Sequence, residues 1–197
     1  MTRSARPWIC LLAVMLAPAG ASAEPARYKI DPQHFAIVFN GLHIGYERQW
    51  GMFLRGGGEF TYDHDAKALS DLSVTIEAGS VFSNDEERDG HLRSADFLDA
   101  EAHPDITFVM TEAVPETDTT GTVSGDLTIR GETRPVTLDV TLNKIGPYPG
   151  GGNFVVGSTA ATTLMREDWG MTYALDNGLV GPDVPIIIEL EAIRQDD

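Results

Sequence analysis

Apolar residues fall on every second position through most of this chain, and that period commits the fold to β-strands. The clearest stretch is "GTVSGDLTIRGETRPVTLDVTLNKIG". Val123, Leu127 and Ile129 share one parity going out; Val136, Leu138, Val140 and Leu142 share one coming back. Gly131 to Arg134 supply the turn, so a β-hairpin is predicted. The same alternation places Phe35, Ile37 and Phe39 together, then Leu72, Val74 and Ile76, then Ile106, Phe108 and Met110. Phe60 and Tyr62 follow a glycine bend, "FVVGSTAATTLM" follows the Gly/Pro loop "GPYPGGGN", and Val184, Ile186, Ile188 and Leu190 close the chain.

About eight antiparallel strands result, an all-β chain that closes into a barrel or packs as a sandwich. An eight-stranded barrel is either filled by its own side chains or holds one small ligand. Small residues (Gly41, Gly51, Gly125, Ala160, Ala161) interleave with large ones here. That pattern fits an apolar tunnel and equally a closed taper, and the inward face of any one strand is open to exchange with its outward face.

One dense polar stretch interrupts the strands: "RDGHLRSADFLDAEAHPDITF", Arg88 to Phe108. Ser83 followed by Glu86 reads as a capping box, predicting a helix start near Asn84 and a short helical segment over residues 84–98. Gly90 weakens its continuation, and a second turn is expected over Ser94–Phe97. His103-Pro104 then forces an extended entry into the next strand.

The first 23 residues read as a secretory signal peptide: Arg3 and Arg6, an apolar run from Trp8 to Leu16, then Ala21-Ser22-Ala23. Residues 24–197 are expected to form one domain. Cys10, the sequence's one cysteine, falls inside the signal, so the processed chain relies on a hydrophobic core rather than on disulfides. These features point to a periplasmic location. Removing Arg3 and Arg6 takes the formal charge from −16 to −18. Such a charge repels nucleic acid and anionic membrane surfaces. No later apolar run is long enough to anchor the chain in a membrane.

No histidine pair has metal-ligand spacing, so no metal and no cofactor are expected. His64 in "DHD" reads as a turn. A triad of Ser94, His91 and Asp96 or Asp99 is too local in sequence, and no nucleophile elbow is present. Arg88 and Arg93, with His91 between them, are unusual in so acidic a chain. Two roles are open for them: meeting a ligand's polar head, or pairing with Asp89, Asp96 and Asp99 to fix the loop over a barrel end. His43 carries the same choice between structural and ligand-contacting roles. In "MREDWG", Arg166 with Asp168 can tie down a strand end, Trp169 offers an apolar face, and Glu191 is a candidate partner for an arginine.

These residues resemble the YceI-like family, lipocalin-like periplasmic proteins also called polyisoprenoid-binding proteins. The resemblance covers nearly all of Tyr28 to Ile193. It rests on Tyr28, Ile30, Asp31, His34, Phe39, His43, Gly45, Gly51 and Phe53, on the run from Arg88 to Asp99 with Pro104, on "GDLTIRGETRPV", and on Arg166, Asp168, Trp169 and Gly170. Phe35, His103 and Trp169 depart from the residues usual in that family. The resemblance implies an eight-stranded antiparallel lipocalin-like barrel with a helical segment near one end. It also implies an apolar cavity for an isoprenoid, and no enzymatic activity. The expected function is a periplasmic carrier for an isoprenoid or quinone-like lipid. The alternatives are an enzyme acting on a lipid-like substrate, or a filled barrel that binds a protein partner; a homodimer is compatible with either. Parity predicts a lining of Phe39, Phe53, Ile76, Phe108, Met110, Leu127 and Ile188. The polar mouth is expected at His43, Arg88, His91, Arg93 and Arg166.

Overall fold

A computed structural model describes residues 25–195; the expected signal peptide lies outside them. Among the described residues the strands are β1 (Ala26–His43), β2 (Glu47–Phe53), β3 (Gly56–Asp63), β4 (Ala68–Glu77), β5 (Val81–Phe82), β6 (Asp105–Pro115), β7 (Thr120–Ile129), β8 (Glu132–Pro147), β9 (Phe154–Met165) and β10 (Asp183–Arg194). One α-helix, α1 (Glu86–Arg93), lies between β5 and β6.

These strands close a barrel with eight positions, as the alternation and the resemblance led one to expect. β1 pairs with β10 from Tyr28↔Arg194 to Phe39↔Ile186, which seals the ring. Two positions are shared by pairs of short strands. β2 opposes the second half of β1 and β3 opposes the first, so the two form one strand line broken at Leu54-Arg55. β4 and β5 divide the next line in the same way, against β3 and β2 respectively. Every neighbouring pair in the ring is antiparallel.

The barrel has two unlike ends. At the helix end lie the β1–β2 turn, α1 with the turns that follow it, and the long connection from Arg166 to Pro182. At the far end lie the β3–β4, β6–β7 and β8–β9 turns. The "DHD" stretch forms the β3–β4 turn, where the Asp63 carboxylate accepts from the Ala66 amide at 2.8 Å.

Helix α1 starts two residues later than the capping-box pattern indicates. Asp85, not Ser83, is the cap: its carboxylate accepts from the Arg88 amide at 2.9 Å. Asn84 sits at φ 65° between them, and this turn separates Ser83 from the helix start. Ser83 instead donates from both its amide and its hydroxyl to the buried carboxylate of Asp89, at 2.6 and 2.5 Å. Gly90 does not end the helix, which runs on to Arg93.

Four bulges break the strict alternation. One lies in β1 between Ile30 and Phe35, one pairs Glu59 and Thr61 against Ser73 and Ser70, one lies in β6 between Met110 and Glu112, and one lies in β8 between Leu142 and Lys144. Each reverses the parity beyond it, since a one-residue shift moves a strand's side chains to the other face. Leu69 and Leu72, three residues apart, consequently line the same interior.

Candidate functional site

The barrel interior is hollow. A cavity of about 850 Å³ runs through it, bounded by inward side chains of all eight strand lines. Most of the wall is Ile, Leu, Val and Phe, as in Ile106, Leu138, Ile186 and Leu190. Among its small residues are Ala160 and Ser158 on β9, in register with the broader side chains of β8 and β10.

Two glycines keep the aromatic rings along the wall. A Cβ added at Gly51 would stand 2.5 Å from Phe39 Cζ, and one added at Gly125 would stand 2.4 Å from Phe108 Cζ. With hydrogen in those places, each ring lies flat over the neighbouring strand instead of crossing the bore.

Of the lining expected from parity, Phe39, Phe53, Ile76, Phe108, Leu127 and Ile188 border the cavity. Met110 does not. It packs, partly buried, against the main core cluster. The extra residue of the β6 bulge begins directly after Met110, and the inward series resumes at Ala113.

At the helix end the cavity meets polar groups. Arg88 borders it and is held by Ser83: Nε donates to the Ser83 hydroxyl at 2.8 Å and Nη2 to the Ser83 carbonyl at 2.6 Å. Ser83 is in turn fixed by Asp89, so a buried carboxylate orients Arg88 through one serine. His91 also borders the cavity, standing edge-on to Phe97 and Tyr173 with ring centroids 5.0 and 4.7 Å away. Its Nε2 lies 3.0 Å from the Asp96 carboxylate. His43, exposed at the end of β1, completes this mouth. Arg93, the last residue of α1, does not border the cavity. Ser94 donates to the backbone carbonyl of His91 at 2.8 Å rather than to its ring, so the serine, histidine and aspartate do not assemble as a triad.

Arg166 is 3% exposed and borders the cavity, yet its donors are committed to backbone. Nε donates to Gly181 at 2.8 Å, Nη1 to Met171 at 2.5 Å, and Nη2 to Tyr173 and Val180 at 2.8 Å each. Burial pulls its guanidinium below the usual arginine range. It pins the Arg166–Pro182 connection onto the barrel end. Trp169 is core, its indole nitrogen donating to the Leu127 carbonyl at 3.3 Å. Asp168 is exposed, and Glu191 stands 3.9 Å from His34.

Sequence comparison places this geometry. A YceI-like domain is matched over residues 28–192, nearly the whole barrel. The chain belongs to the YceI-like family. A UPF0312 protein of Pectobacterium atrosepticum is 38% identical over 189 residues, covering 95% of this chain and 96% of that protein. Burkholderia cenocepacia BcnA has the same fold at a TM-score of 0.73 and 22% identity, over 82% of this chain and 98% of its own. So does a polyisoprenoid-binding domain from Saccharophagus degradans, with a TM-score of 0.60 and 14% identity, over 87% and 100% respectively.

In this YceI-like barrel the far end is also part of the site, and parity gave no sign of it. Lys67, Thr117, Asp118 and Thr120 border the cavity there. Lys67 Nζ contacts Asp118 Oδ1 at 2.5 Å across 51 residues of sequence, a separation at which no local pattern operates.

Proposed function

We propose that this protein binds and carries a long apolar lipid, an isoprenoid or quinone-like molecule, in the barrel interior, and that it does so in the periplasm. The observation that carries this reading is the apolar bore of about 850 Å³, within the size range of ligand cavities. A preformed wall costs little ordering on binding. Each methylene moved from water into it contributes roughly 0.8 kcal/mol. A tail of a dozen or more carbons thus has ample driving force without any hydrogen bond.

The head of the ligand sits at the helix end. Arg88 and His91 offer donors there, and the rings of Phe97 and Tyr173 offer flat faces. Arg166 shapes this mouth through the backbone it holds. Membership of the YceI-like family supports the reading, as does a shared fold with a domain described as polyisoprenoid-binding. Chemistry on the ligand is not part of the proposal.

The test is mass spectrometry of solvent extracts from protein purified from its own host. A prenyl-chain compound at close to one per protein is expected. Extracts free of apolar compounds, together with no uptake of added prenyl alcohols, would overturn the proposal.

A further inference from the structure

The barrel wall is not sealed along its whole length. β4 and β6 pair from Glu77↔Asp105 to Ser73↔Val109, and there their ladder stops. Beyond it, β4 continues against β3 alone to Ala68↔Asp63, and β6 continues against β7 alone to Pro115↔Gly121. Five residues of β4 and six of β6 therefore face each other with no register between them. At about 3.3 Å per residue the slit is roughly 16 Å long.

Both strands are bent where they part. Asp71 of β4 has φ 54°, inside the bulge against β3, and the β6 bulge lies between Met110 and Glu112. Bulges kink and twist a strand, and two at one height turn the edges away from each other. The bore reaches the surface here. Leu69, Leu72, Ala113 and Val114 all border the cavity, and Val114 is also 45% exposed to solvent. An exposed ion pair, Lys67–Asp118, spans the slit at its outer end. Such a pair resists opening by no more than about 1 kcal/mol.

We propose that the slit between β4 and β6 is an exit for the ligand's tail, so that the bore binds prenyl chains longer than itself. This rests on the carrier reading above and adds chain-length tolerance to it. With the head held at the helix end, the tail fills the bore, and any surplus length passes out between Leu72 and Ala113, displacing Lys67 from Asp118. A bore closed at that end would instead reject chains longer than itself.

The experiment compares two prenyl alcohols in the same detergent, one of four isoprene units and one of nine, on delipidated full-length protein. The wild type is expected to bind the nine-unit alcohol at least as tightly as the four-unit one. Ala113→Trp and, separately, Val114→Trp narrow the slit. Each is expected to shift the affinity ratio against the nine-unit alcohol by about tenfold or more. A wild type that prefers the four-unit alcohol overturns the proposal and leaves the carrier reading standing. So does an unchanged ratio in both folded variants. A wild type that binds neither alcohol removes both.

Discussion

Phe39 lies directly over Gly51, its register partner on β2, so closely that a methyl group on Gly51 would come within 2.5 Å of the ring. The absence of one carbon thereby sets the width of the bore.

Gly51→Ala should push the Phe39 ring toward the bore, because the close atoms all belong to that side chain and none to backbone. Turning the ring off its rotamer costs about 1 kcal/mol, while replacing glycine returns a similar amount by restricting the unfolded chain. Near-native thermal stability is expected, with affinity for a four-isoprene alcohol about tenfold weaker, in paired melting and binding measurements.

Replacing Arg166 with Met should cost stability first. Four backbone carbonyls, of Met171, Tyr173, Val180 and Gly181, would lose their donor. A loss of about 3 kcal/mol is expected, which for a chain of this length lowers the melting temperature by about 6 to 12 °C. Arg166→Lys should recover only part of it, since an ammonium cannot reproduce the guanidinium fork.

Asp89→Ala removes the acceptor that fixes Ser83 and, through it, Arg88. A loss of about 2 kcal/mol is expected, together with weaker discrimination between a prenyl alcohol and its phosphate. Ser83→Ala should show the same loss of discrimination with a smaller effect on stability.

At the seam of the barrel, Arg48 joins Asn40 at 3.0 Å and Asp183 at 2.5 Å. Its guanidinium holds the Asp183 carboxyl below the usual carboxylate value of 3.8. A depressed carboxylate contributes stability that is present above 3.8 and lost as the pH falls through the folded-state value. Thermal melts of wild type and Asp183→Asn should therefore differ at neutral pH and converge as the pH is lowered below 3.8.

Much of this architecture was legible because alternation is a local signal. Val136 to Leu142 and Val184 to Leu190 border the cavity as their parity indicates. What escaped was set by single inserted residues. The bulge after Met110 moves the inward series of β6 onto Ala113, and the one at Asp71 brings Leu69 onto the lining. Nothing in a strand's composition marks where one residue too many will fall. The polar mouth was partly legible, since Arg88 and His91 stand out in an acidic sequence. The partners of Arg88 were not, because Asp89 reaches it through Ser83 rather than directly. The far mouth was hidden altogether, since Lys67 and Asp118 meet only once the barrel closes.

Occupation of the interior is tested most directly by plugging it. Ala160 faces the bore between Ile188 and Val140 on the adjoining strands. Ala160→Phe puts a ring across the lumen at little cost, since it fills existing space. Titration of wild type and Ala160→Phe with a four-isoprene alcohol should give saturable binding at one site for the wild type and none for the variant, with both proteins folded. Equal binding by the two, or no binding by either, would contradict the account.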